Sequence, residues 1–176
     1  MCFHISVCST EAYQEKYLTF LLDHYSELNL PYSFPMTLTF LASPILVKEE
    51  AFLCFNDEDE VVGAFGYIFG TGENNYEDSN VVQIQTMFIK EPYRTSRLFL
   101  ETMQYVMQYM AQLNRKVTEI CFWTPVRDDL HTLLNKLFKQ TAAQDTIYGR
   151  LEQYRASFSE LYEYAMRFRH EHYFGT

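Results

Sequence analysis

Apolar and polar positions change period at one point in the chain, and that point is informative. Residues 81–90, Val-Val-Gln-Ile-Gln-Thr-Met-Phe-Ile-Lys, are hydrophobic and β-prone and read as a strand. From Thr95 and Ser96 toward Leu113 the spacing becomes helical. Phe99, Met103, Val106, Met110 and Leu113 form one stripe, which Leu100 and Met107 widen. A short turn, Glu91-Pro92-Tyr93-Arg94, joins the two.

The same reading extends outward. Residues 3–8 are apolar and predict a first strand. Ser9 or Thr10 offers an N-cap to a helix carrying Tyr13, Tyr17, Phe20, Leu21, His24, Tyr25 and Leu28, which stops before Asn29-Leu30-Pro31. Residues 36–47 predict a short second helix ending near Pro44. Two β-rich runs, 50–56 and 61–69, flank a short polar segment and read as a hairpin. Gly63, Gly66 and Gly70 suggest bulges or close backbone approaches. Residues 70–80 form a polar loop.

Beyond the central helix, residues 117–123 predict a strand that Pro125 ends. Asp128 or Asp129 starts a helix with Leu130, Leu133, Leu134, Leu137 and Phe138. Residues 146–148 and 151–154 are β-like, and 158–170 is helical, with Leu161, Tyr162, Ala165, Met166 and Phe168. The order β-α-α-β-β-β-α-β-α-β predicts an α/β (α+β) fold. It has a mixed, mainly antiparallel sheet, helices on both faces and a β-α-β unit at 81–123. At 176 residues, one domain spanning 1–176 is expected.

Composition narrows the function. The net charge of −9 argues against nucleic-acid or anionic-membrane binding and suits a cationic substrate such as an amine. No basic leader and no long apolar span is visible, so a cytoplasmic protein is expected. Cys2, Cys8, Cys54 and Cys121 lack C-x-x-C spacing and read as buried, reduced thiols. His170 and His172 stand at i, i+2, which share no helix face, so no metal site is expected. The 15 Phe and 14 Tyr read mainly as a bulky core. The aromatic C-terminus (Tyr162, Tyr164, Phe168, Tyr173, Phe174) also offers a homodimer or partner surface.

A strand feeding a helix start presents free N–H groups and the positive end of a helix dipole, which suits a phosphate. Arg94 and Arg97 at that start are disfavoured by the dipole unless an anion joins them. This segment, Met87-Phe88-Ile89-Lys90-Glu91-Pro92-Tyr93-Arg94, resembles the strand end and loop of the GNAT superfamily, the Gcn5-related N-acetyltransferases. The resemblance implies that acetyl-CoA, or another acyl-CoA, binds between strands 81–90 and 117–123. The backbone of Met87, Phe88 and Ile89 would pair with pantetheine. The N–H groups of Thr95, Ser96, Arg97, Leu98 and Phe99 would meet the pyrophosphate, beside Arg94. The acceptor would be an amine of a small molecule or peptide.

The loop departs from the family at Arg97 and Phe99, where small residues stand in the family's pattern. Arg97 offers a guanidinium for phosphate instead. The tyrosine many members use as general acid is replaced by Leu134. Glu119, Tyr148 and Tyr154 are the remaining acid–base candidates, while Gln83 and Gln85 cannot take a proton usefully. The alternative reading is a GNAT-like module that has lost catalysis and serves binding. The ring of Phe99 discriminates the two: filling the crevice favours the module, and turning under the helix favours the enzyme. Strands paired along their whole length would point to an unrelated α/β fold.

Overall fold

The computed structural model describes residues 2–47, 50–126 and 135–175. Among these residues seven strands form one sheet: β1 (His4–Val7), β2 (Ala51–Phe55), β3 (Val61–Phe69), β4 (Val81–Ile89), β5 (Glu119–Pro125), β6 (Lys139–Thr146) and β7 (Gly149–Ser157). Their order is β1-β2-β3-β4-β5-β7-β6, and only β4 and β5 run parallel. That pair is joined through a long helix, as a parallel crossover requires.

Helices α1 (Glu11–Asp23), α2 (Tyr25–Leu28) and α3 (Phe34–Leu46) precede β2; α4 (Ser96–Ala111) joins β4 to β5, and α5 (Phe158–Met166) follows β7. Two cores lie on opposite faces of the sheet. Leu98, Val106, Met110, Leu161 and Ala165 of α4 and α5 pack with Phe52, Val62, Val82 and Ile120. Tyr17, Leu21 and Leu41 of α1 and α3 pack with Leu53, Ala64 and Phe88. Each buried Leu, Val, Ile, Met or Phe among them contributes about 1.5–3 kcal/mol of burial.

The structure corrects several boundaries. The first helix breaks at His24, whose Nδ1 lies 2.8 Å from the Phe20 carbonyl. The second runs through Pro44 to Leu46 instead of ending there. Pro44 has no N–H for the Phe40 carbonyl, and the Ser43 hydroxyl donates to that carbonyl at 2.9 Å, so the lost bond is replaced locally. Strand β5 is shifted two residues toward the C-terminus, with Pro125 inside it opposite Leu151. Residues 147–148 are the tip of the β6–β7 hairpin and not strand.

Strand β6 itself was not expected. It is an edge strand, exposed over most of its length, so its sequence carries no apolar alternation. The last helix ends at Met166, short of 170, and the tail beyond it folds back onto α4. Gln108 donates to the Glu171 carbonyl at 2.7 Å and accepts from the Tyr173 N–H at 3.0 Å, while Tyr173 and Phe174 pack on Tyr105. These two partly buried aromatics pack within the chain. Cys2 is exposed, unlike the three buried thiols, and Cys2 and Cys8 both lie outside the strands.

Candidate functional site

Strand β4 has two different halves. Val81 to Ile84 pair in register with Glu119 to Phe122 of β5. Pairing stops there. β4 continues to Ile89 against Gly63 of β3, and β5 continues to Pro125 against β7. The two parallel strands therefore part after Ile84 and Phe122. The joined end is clamped: Thr118 N–H donates to the Asn80 carbonyl at 2.9 Å, and Asn80 Nδ2 donates to the Thr118 hydroxyl at 2.7 Å.

A bulge sits where the strands part. Thr86 opposes Gly66 and Ile84 opposes Tyr67, which leaves Gln85 as the extra residue. Before the bulge, Gly70 N–H donates to the Val81 carbonyl, so Val82 and Ile84 turn their backbone groups to β5. After it, Lys90 N–H donates to the Val62 carbonyl at 2.9 Å, so the alternation turns Met87 and Ile89 away from β3. The N–H and C=O groups of Met87 and the N–H of Ile89 thus face the opening. Phe88 does not: its backbone faces β3, and its ring is buried against Phe20 and His24.

The start of α4 lies one short turn beyond. Thr95 caps it, its hydroxyl accepting from Leu98 N–H at 3.3 Å, a contact worth about 1 kcal/mol. Phe99 N–H reaches the Thr95 carbonyl at 3.2 Å. Helix geometry leaves the N–H groups of Ser96 and Arg97 without an intrahelical acceptor, and the first turn holds no carboxylate. Arg94 folds back over Phe88: its Nε donates to the Ile89 carbonyl at 2.8 Å, and its Nη2 lies 3.6 Å from Glu27. Arg97 turns along the helix to Glu101 at 2.7 Å. Both guanidiniums are exposed, and their partners hold them only weakly.

Phe99 is half-buried and faces under α4. With Met87, Ile89, Met103 and Phe122 it lines an apolar cavity of about 60 Å³ between the helix and the sheet. Leu98 is fully buried in the core.

The acid–base candidates separate. Glu119 stands at the clamped end and pairs with Arg155, which also reaches Glu73 at 3.4 Å. Tyr148 is exposed at the hairpin tip. Tyr154 is buried and stacks on Phe122, the last β5 residue joined to β4, at 5.6 Å. Burial first, then its hydrogen bond to Glu152 at 2.9 Å, pushes the phenol above its ordinary range. Gln83 and Gln85 bond each other at 3.1 Å. The Leu134 position lies outside the described residues. Among the described residues no three His, Cys, Asp or Glu side chains gather as metal ligands.

Sequence reasoning missed Tyr17. It is fully buried on α1, and its hydroxyl bonds Thr86 at the bulge. The signal was Gly66, a glycine inside a strand, but nothing in the spacing named its neighbour.

No protein-family model matches the chain, and no curated protein matches it in sequence. Solved structures do match it. A GNAT-family acetyltransferase from Staphylococcus aureus Mu50 is 16% identical, with 89% of this chain and 99% of that one covered and a TM-score of 0.64. A chimera of the spermidine N-acetyltransferase SpeG from Vibrio cholerae with hSSAT is 13% identical, with 90% and 97% covered and a TM-score of 0.59. The NatC complex bound to Gag peptide and CoA is 12% identical, with 89% and 99% covered and a TM-score of 0.65. The chain has the GNAT fold, in a sequence far from these neighbours. Among the described residues, no helix is long and apolar enough to cross a membrane.

Proposed function

We propose that this chain, as one domain over 1–176, is an acyl-CoA-dependent N-acyltransferase, with acetyl-CoA the expected donor. The acceptor is an amine of a small molecule or peptide that attacks the thioester directly. The observation carrying this reading is the open half of β4: two backbone-bearing residues, Met87 and Ile89, face a gap in the middle of a sheet. An unpaired edge there calls for a hydrogen-bonding partner from outside the chain.

The residues fit an acyl-CoA. Met87 and Ile89 would pair with the amide-bearing arm, over the apolar lining of Ile84 and Phe122. The Ser96 and Arg97 N–H groups would take the pyrophosphate at the positive end of α4. To reach it, Arg94 would leave Glu27 and the Ile89 carbonyl, and Arg97 would leave Glu101. Bound acyl-CoA supplies an acyl group already activated toward amines. The chain contributes alignment, and the Met87 N–H polarises the carbonyl. The C–N bond forms as the C–S bond breaks, and the amine proton leaves with the thiol or to solvent. Among the hydroxyls named, Tyr154 is the one the fold stacks against the parting point.

Two of these similar folds are consistent with this acceptor class, one being described as a spermidine N-acetyltransferase chimera and one as bound to a peptide and CoA. Titration calorimetry with acetyl-CoA tests the reading, and no heat at millimolar ligand would remove it. The engagement of Arg94 with Ile89 and of Arg97 with Glu101 favours a second reading, a binding module with a degenerate loop. Acetylation of any amine in a panel excludes that second reading.

A further inference from the structure

The β4 bulge is held from the opposite face of the sheet. Tyr17 of α1 has no exposed surface, and its hydroxyl shares a close hydrogen bond with the hydroxyl of Thr86, itself buried. Thr86 is the residue between the extra Gln85 and Met87. Across the ladder stands Gly66. A Cβ there would overlap the Tyr17 hydroxyl and lie 2.7 Å from Pro44 Cγ and 2.8 Å from Thr86 Oγ1. Three elements, α1, α3 and β3, thus close on one position of β4, and only a glycine opposite leaves room for the phenol.

The bulge shifts β4 by one residue. Without it the backbone groups of Thr86 and Phe88 would face the opening, and those of Met87 and Ile89 would be spent on β3. We propose that Tyr17 is a positioning residue: its hydrogen bond to Thr86 fixes the bulge and so aims the Met87 N–H into the gap between β4 and β5. This rests on the acyltransferase reading for its consequence in turnover, but not for its geometry. A phenol can do this where an aliphatic side chain cannot, because a hydrogen bond fixes direction as well as distance. The pair also satisfies two buried hydroxyls that would otherwise be costly to bury.

The test uses Tyr17→Phe, Thr86→Val, their combination, and Thr86→Ser. With acetyl-CoA and an accepted amine, Tyr17→Phe is expected to lower kcat roughly ten- to hundredfold, the scale of a small misplacement of reacting groups. KM for acetyl-CoA stays within a few-fold. The double variant is no slower than the slower single one, because both remove one bond, and Thr86→Ser, which keeps the hydroxyl, recovers most of the rate. Independent of turnover, the amide resonances of Gln85, Thr86 and Met87 shift and exchange faster in Tyr17→Phe than amides of β2 do. Unchanged amides at these three positions would overturn the proposal, as would rate losses that multiply in the double variant. If the wild type neither binds nor turns over acetyl-CoA, the acyltransferase reading fails alone, and the amide measurement still decides the role of Tyr17.

Discussion

The two halves of β4 share one strand and differ in what lies beside them. From Val81 to Ile84 the strand is flanked on both edges, by β3 and by β5. From Gln85 to Ile89 it keeps β3 and loses β5. The first half is tied further by the Asn80–Thr118 pair and by Arg155, which draws Glu119 and Glu73 together. The second half has Met87 at 44% exposure with its backbone groups open. A central strand seldom leaves polar backbone without a partner. The contrast separates a part of the sheet built for stability from a part built to be completed by something else.

Proline scanning breaks this comparison most directly. Met87→Pro removes an N–H that β3 does not use, so the ladder survives. Acyl transfer is expected to fall about 10²–10³-fold, the loss typical of removing one carbonyl-polarising donor. Phe88→Pro deletes a ladder donor instead, at roughly 1–3 kcal/mol for the unmade bond, and also removes a buried ring. Thermal melts and steady-state rates on both variants read out the difference. Full turnover in Met87→Pro would end the assignment of that N–H.

Phe99 sharpens the boundary between the open half and the helix above it. Phe99→Ala enlarges the apolar cavity and is expected to cost about 1–3 kcal/mol, below the full-burial value because the ring is only half-buried. Affinity for acetyl-CoA does not weaken beyond tenfold, since the ring lies under α4 and not over the phosphate-facing N–H groups. Chemical denaturation and calorimetry measure the two quantities. An affinity loss beyond tenfold would mean that the ring itself contacts the ligand.

Arg94→Ala is a smaller change. Its ion pair with Glu27 is about 40% exposed on either side, so stability moves by less than about 0.5 kcal/mol. Affinity for acetyl-CoA falls severalfold at low salt, and the difference shrinks as salt screens the phosphate contact. A salt-independent effect would point to the Ile89 carbonyl contact as the reason for this arginine.

Much of this division was legible in the sequence, for a physical reason. Strand 81–90 and the stripe of Phe99, Met103, Val106 and Met110 are buried on defined faces, and burial imposes period. Gly66 was readable, with Gly63 and Gly70, as a bulge or a close approach, and it is a close approach opposite the β4 bulge. What stayed hidden depends on contacts distant in sequence. Strand β6 faces solvent and needs no pattern; the Ser43 hydroxyl takes the carbonyl that Pro44 leaves without a donor; Tyr17 meets Thr86 across 69 positions. The parting of β4 from β5 was inferred from resemblance and not from residues, since no local composition distinguishes Ile84 from Ile89.

Cysteine chemistry probes the same contrast with the least disturbance. Cys121 lies in the joined half, opposite Gln83, and burial pushes its thiol up to about 12. Burial likewise raises Cys8 to about 12 and Cys54 to about 11. At pH 8 these three carry almost no thiolate, the form that reacts with iodoacetamide. In the native chain only Cys2, which is exposed, is expected to be labelled. In a Cys2→Ser background, labelling should vanish; adding Met87→Cys places a thiol at the open half, and labelling should return. Acetyl-CoA should then slow it in proportion to occupancy, which mass spectrometry of the peptide measures directly. Labelling of Cys121 at a comparable rate would show that the joined half also opens. Labelling at position 87 that acetyl-CoA leaves unchanged would place the ligand away from β4, and the contrast would then lose its functional meaning.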